Sequence, residues 1–135
     1  SICSAYAESV GADTVWYGAA QVDSLAGYWD GSEEFVDTVN EVTKLNRENR
    51  VEIEAPLLDM SKEDIIKEGI RLGVKFGDTW TCYSDREDGL ADATTPSSSM
   101  RVKGFISAGY QDPIVYLQQE KIDKLYHENE CKRCA

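Results

Sequence analysis

The chain has 135 residues, 41% of them apolar and 29% charged, with 25 acidic against 14 basic side chains and a formal charge of −11. That length fits one ordinary globular domain, able to bury roughly two thirds of its unfolded surface, and the apolar content excludes a disordered chain. No apolar run approaches the about 18 residues that cross a bilayer, no signal-peptide pattern opens the chain, and the acidic balance would repel nucleic-acid phosphates.

In chain order, Ile2, Ala5 and Tyr6 stand at helical spacing before Gly11, so residues 1–10 are expected to be helical. Thr14-Val15-Trp16-Tyr17-Gly18 reads as a buried parallel strand, and Ala19 to Gly31 as a loop. Ser32 is an N-cap followed by Glu33 and Glu34, which favour the positive end of a helix dipole. Phe35, Val36, Val39, Val42 and Leu45 supply that helix's apolar stripe. Residues 51–55 alternate and stop at Pro56, the pattern of a strand. Ser61-Lys62-Glu63-Asp64 matches a capping box, opening a helix to about Leu72 with Gly73 as the stop. Ser84 to Ser99 reads as an exposed polar loop, Val102 to Ile106 as a short apolar element. Asp112-Pro113 is expected to open a last helix to about residue 127. Strands alternating with helices predict a parallel sheet covered on both faces.

The cysteines point to metal more than to disulfides, since nothing suggests secretion. Cys131 and Cys134 form a C-x-x-C, and Cys82 stands far upstream. Zinc takes four ligands, commonly thiolates and imidazoles. His127 could be the fourth, or the fourth lies beyond Ala135. The alternative for Cys131 and Cys134 is an unstructured reactive tail. Cys3 reads as a buried small apolar residue. The start at Ser1-Ile2-Cys3 and the stop inside the C-x-x-C region suggest a piece cut at both ends.

Three patches stand in order: Gly27-Tyr28-Trp29-Asp30 with Glu34-Phe35; Ala55-Pro56-Leu57-Leu58-Asp59-Met60-Ser61-Lys62; and Leu72-Gly73-Val74 followed by Thr79-Trp80-Thr81-Cys82-Tyr83. Together they resemble the C-terminal half of the 7-cyano-7-deazaguanine synthases, of the PP-loop ATP pyrophosphatase superfamily. The resemblance covers residues 1–83 and resumes at Cys131-Lys132-Arg133-Cys134. It implies a Rossmann-like α/β fold of the adenine-nucleotide alpha-hydrolase kind, with a C-terminal zinc-binding segment. It also implies an ATP-dependent cytoplasmic ligase, without nucleic-acid or membrane partners and expected as a homo-oligomer. In the implied reaction the carboxylate of 7-carboxy-7-deazaguanine is adenylated, ammonia attacks, and a second activation dehydrates the amide to a nitrile. The product feeds queuosine, archaeosine or deazaguanine DNA modification.

Carried onto this sequence, the resemblance makes Cys82, Cys131 and Cys134 zinc ligands. It places the loop from Gly18 through Asp23 to Asp30 against the substrate. Asp23, Tyr28 and Asp30 are the candidate substrate residues; the carboxylates would accept N–H donors from a deazapurine or hold Mg²⁺ beside ATP phosphates. The alternatives are a turn or helix-end charge for Asp30, a solvated charge for Asp23, and loop packing for Tyr28 and Trp29. Trp80 is expected in the core.

The sequence also departs from the family. It holds no S-G-G-x-D-S loop to cradle ATP phosphates, so adenylation is not expected from this polypeptide alone. A long stretch separates Cys82 from Cys131 where the family has a short connection. The expected organisation is therefore 1–83 as part of the Rossmann-like domain, 84–130 as an insertion and 131–135 as a truncated zinc cluster. The competing readings are another PP-loop ATPase, such as a tRNA-modifying enzyme, or a non-catalytic zinc-stabilised α/β binding module.

Overall fold

The structure, a computed structural model, describes residues 2–46, 50–84 and 87–133, the last three by their backbone alone. Contacts divide the chain into two compact units, residues 1–61 and 62–135.

In the first unit, α1 (Ile2–Ser9) leads to strand β1 (Thr14–Trp16). Helices α2 (Gln21–Leu25) and α3 (Glu33–Thr43) then carry the chain across to β2 (Glu52–Glu54). The two strands pair in parallel, with Val15 opposite Ile53, as a strand–helix–strand crossover requires. The result is a small α/β unit. The Ser32 hydroxyl accepts from the Phe35 N–H at 3.1 Å, so the predicted cap is present. Asn40 of α3 holds β2 like an additional strand: its amide donates to the Ile53 carbonyl and accepts from the Ile53 N–H, both at 2.8 Å. Of the predicted α3 stripe only Val36 is buried, while Val42 and Leu45 are exposed. About three turns of helix against a two-stranded sheet leave part of an apolar stripe uncovered.

The segment expected as a plain loop, Ala19 to Gly31, contains α2 and a 3-10 turn at Trp29–Gly31. The reason is local: the Asp23 carboxylate accepts from the Ala20 N–H at 2.9 Å and satisfies one orphan donor of the helix end.

The second unit is built from α4 (Lys62–Arg71), α5 (Pro96–Ala108) and α6 (Gln119–Arg133), with a 3-10 turn at Phe76–Asp78. Phe105 of α5 is buried with Ile66 of α4 and Ala108, and meets the Phe76 ring edge-on at 5.2 Å. Gly104 allows α5 to lie close to α4: a Cβ there would stand 2.6 Å from Lys62 Cγ and 2.9 Å from Ile66 Cδ1.

Three expectations for this unit are corrected. Residues 96–99 are the first turn of α5, with Pro96 opening it. Their polar composition suggested an exposed loop, yet Ser98 is buried. Val102 to Ile106 is the middle of the same helix, which buries Val102 and Phe105 on one face. Asp112-Pro113 opens no helix. The chain from 112 to 118 is irregular and bridges Ala91 to Tyr116, through Ala91 N–H to the Val115 carbonyl and Leu117 N–H to the Ala91 carbonyl, both at 3.0 Å. Helix α6 begins only at Gln119.

Asp112 is withdrawn from capping because it is a buried counter-ion. Arg101 grips it through Nε at 2.7 Å and Nη2 at 2.9 Å. The guanidinium also donates to the Phe76 carbonyl at 2.9 Å and to Thr79 Oγ1 at 2.8 Å. The Tyr116 hydroxyl donates to Asp112 at 2.7 Å. A charge pair taken out of water holds when its remaining donors and acceptors are satisfied, and among the described residues no buried side-chain nitrogen or oxygen lacks a partner. No described helix is long and apolar enough to cross a membrane.

Candidate functional site

The first unit carries a cleft of about 390 Å³ lined by Tyr17, Gly18, Ala19, Asp23, Tyr28, Asp30 and Gly31. It opens just past the last residue of β1, at the carboxyl end of a parallel strand, where open α/β sheets place their ligands. Asp23, Tyr28 and Asp30 thus line one cavity.

Each side chain has a local reason for its position. Asp23 sits in the first turn of α2 and is anchored by the Ala20 N–H. Tyr28 precedes the 3-10 turn that holds Asp30. Gly31 closes the turn against Asp23: a Cβ on Gly31 would lie 2.7 Å from Asp23 Cβ. Trp29 leans edge-on against Phe35 at 5.1 Å and stays largely exposed outside the cleft lining, which Tyr28 joins.

Tyr17 was not among the sequence candidates. It follows β1 directly, and its N–H donates to the Glu54 carbonyl at 2.7 Å. Its phenol is pushed above the ordinary tyrosine range, by burial first and then by the negative charges of Asp30 and Asp23. The signal that could have found it is positional, since the residue after a parallel strand faces the ligand side. The site is therefore acidic with two phenols, suited to the face of a ligand that is rich in N–H donors.

Cys82 lies in the second unit and is 7% exposed. Its sulphur is 2.8 Å from Ser84 Oγ and accepts from the Asp92 N–H at 3.3 Å. Burial pushes the thiol up, but donors from Ser84, Ser98 and Asp92 outweigh it and bring it down to about 6. These neighbours are hydroxyls and an N–H group, which do not fit zinc; zinc takes deprotonated sulphur, imidazole or carboxylate donors. Among the described residues there is no group of three or more His, Cys, Asp or Glu able to hold a metal. Cys134 and the Cys131 side chain lie outside the described residues. His127 is exposed, with Nδ1 3.8 Å from Glu130. Cys3 is exposed rather than buried, and Trp80, expected in the core, is half exposed with its indole N–H donating to the Cys82 carbonyl at 2.8 Å.

Comparison with known proteins gives a consistent picture. Residues 1–109 match the family described as queuosine biosynthesis protein QueC. The 7-cyano-7-deazaguanine synthase of Thermoplasma volcanium is 35% identical over 133 residues, 96% of this chain and 53% of that protein. The enzyme of the same name from Clostridium kluyveri is 37% identical, over 86% of this chain and 53% of its own length. 7-cyano-7-deazaguanine synthase 1 of Colwellia psychrerythraea is 40% identical, over 86% of this chain and 52% of its own length. The chain thus spans about half the length of the curated relatives it matches. The family match runs on past Cys82 and through α5.

Proposed function

Because the chain belongs to the queuosine biosynthesis protein QueC family, we propose that it forms the base-recognising part of a 7-cyano-7-deazaguanine synthase. The observation that carries this reading is the cleft at the end of β1, where Tyr17, Asp23, Tyr28 and Asp30 line one cavity. A 7-carboxy-7-deazaguanine presents ring and exocyclic N–H donors, which carboxylates accept. Tyr28 offers a ring face for stacking. Discrimination follows, because an analogue lacking an N–H would leave a carboxylate unpaired in the cleft.

The proposed reaction balances as two activations. A carboxylate oxygen of the substrate takes the adenylyl group of ATP and pyrophosphate leaves. Ammonia displaces AMP to give the amide. A second adenylation on the amide oxygen, followed by loss of AMP and the two amide protons, gives the nitrile. The sequence holds no S-G-G-x-D-S loop, so phosphate binding comes from the rest of the full-length protein or from a partner chain. Mg²⁺ beside phosphates needs only one or two protein carboxylates; Asp23 and Asp30 are of that donor type, and the ion would neutralise phosphate charge. The reading places the work in the cytoplasm, on small molecules, in a homo-oligomer without nucleic acid or membrane partners.

The test is turnover. Full-length protein containing this segment is incubated with 7-carboxy-7-deazaguanine, ATP and an ammonium salt, and products are followed by mass spectrometry. The reading expects the nitrile, with two AMP formed per nitrile. ATP-dependent modification of a tRNA in place of nitrile formation would favour another PP-loop enzyme. Neither product from an ATP-binding full-length protein would remove the synthase reading.

A further inference from the structure

We propose that Cys82 fastens its region without a metal, as the buried acceptor of a hydrogen-bonded clasp between the 79–84 segment, Asp92 and the first turn of α5. Sulphur lies 2.8 Å from Ser84 Oγ and accepts the Asp92 N–H at 3.3 Å. The Ser98 hydroxyl faces the same sulphur. Behind it, Thr95 Oγ1 is 2.9 Å from Ser98 Oγ and 2.9 Å from the Asp92 carbonyl oxygen. Thr95 has one hydroxyl proton to share between Ser98 and the Asp92 carbonyl; when Ser98 receives it, the Ser98 proton is left for sulphur.

The clasp is closed on its far side as well. Gln118 donates to the Asp92 carboxylate at 3.0 Å and accepts from the Ala93 N–H at 3.0 Å. Cys82 itself packs with Ala91, Val102, Ile114, Tyr116 and Ile122. The sulphur thus sits at the junction of an apolar cluster and a chain of hydroxyls.

The geometry separates this from a zinc ligand. A ligating thiolate turns a lone pair to the metal at about 2.3 Å, with three further deprotonated donors around the ion. Here an N–H and hydroxyl oxygens surround the sulphur, and the described residues offer no group of three or more His, Cys, Asp or Glu around it. Ser98 is 1% exposed, so its hydroxyl must be bonded within the protein or cost its full desolvation. Thr95 is one partner of that hydroxyl and the sulphur another, so loss of Cys82 removes part of the bonding of Ser98.

Metal content and stability together decide the matter in the full-length protein. Zinc per chain is measured in the wild type and in Cys82→Ser, whose hydroxyl keeps an acceptor in place and favours a folded variant. The clasp predicts equal zinc in both, whether that value is zero or one. It predicts that Cys82→Ala and Ser98→Ala each lower Tm by at least about 2–4 °C. The double variant should fall no further than the worse single one, because both remove the same bond. A strong chelator should leave these differences unchanged. Loss of zinc in Cys82→Ser would overturn the proposal. So would additive Tm losses, or a chelator that lowers wild-type Tm to the Cys82→Ala value. Nothing in the clasp depends on the reaction proposed above, so either can fail alone.

Discussion

The two units treat carboxylates in opposite ways. In residues 62–135, Asp112 is buried and saturated, with two bonds from Arg101, one from Tyr116 and one from the Ile114 N–H. In residues 1–61, Asp23 and Asp30 line a cleft. One oxygen of Asp23 is spent on the Ala20 N–H, and Asp30 accepts no hydrogen bond among the described residues, its charge being felt by Tyr17. A carboxylate whose acceptors are all filled from within its own chain holds a fold together. One that faces a cavity with capacity to spare can bind a ligand. The same distinction separates the phenols: Tyr116 donates to buried Asp112, whereas Tyr17 and Tyr28 face the cleft.

The largest effect that would break this comparison is on Asp112. Asp112→Ala leaves Arg101 charged and buried, and should cost about 3–5 kcal/mol of stability in denaturant unfolding. Replacing both partners together, Arg101→Met with Asp112→Leu, should recover most of it. If Asp112→Ala costs no more than a surface change, the pair is not the fastening described here.

Next comes Asn40, the sharpest test of how the first unit holds its sheet. Asn40→Ala strips both backbone partners from Ile53, which is buried. The loss should be about 1–3 kcal/mol, with faster hydrogen exchange at the Ile53 amide. Unchanged exchange there would show that β2 is held by β1 alone.

Tyr116 gives a smaller effect at neutral pH and a distinctive one in alkali. Its pKa is raised, first by burial and then by the bond to Asp112 and that residue's charge; Tyr126 is raised as well, mainly by burial. A raised pKa means the neutral phenol is favoured in the folded state. The stabilisation is complete below the unfolded tyrosine value of about 10 and is lost progressively as pH climbs above it. Tyr116→Phe should cost about 1 kcal/mol at pH 7. It should also flatten the decline of stability above pH 10. A variant with the same alkaline slope as the wild type would remove Tyr116 as its source.

Local signals in the sequence were the legible part of the fold. The Ser32 cap, the two strands and the α4 start all depend on neighbours within a few residues. What misled were residues whose role is set at long range. Asp112 before Pro113 has the form of a helix start, but a partner eleven positions away claims its carboxylate. The serines before Met100 have the composition of a loop, but Ser98 is buried beside a thiol that is distant in sequence. At the cleft, Asp23, Tyr28 and Asp30 were legible because strand ends and turn residues fall together there; Tyr17 was hidden inside an apolar run that read as strand.

The most direct test of the central claim is equilibrium binding of 7-carboxy-7-deazaguanine to the full-length protein, wild type against Asp30→Asn, with Tm measured alongside. Losing a charge-assisted hydrogen bond is worth about 1.5–3 kcal/mol, so affinity should fall by at least about tenfold while Tm stays the same. Equal affinity in the two proteins, with both folded, would contradict the assignment of this cleft to the base.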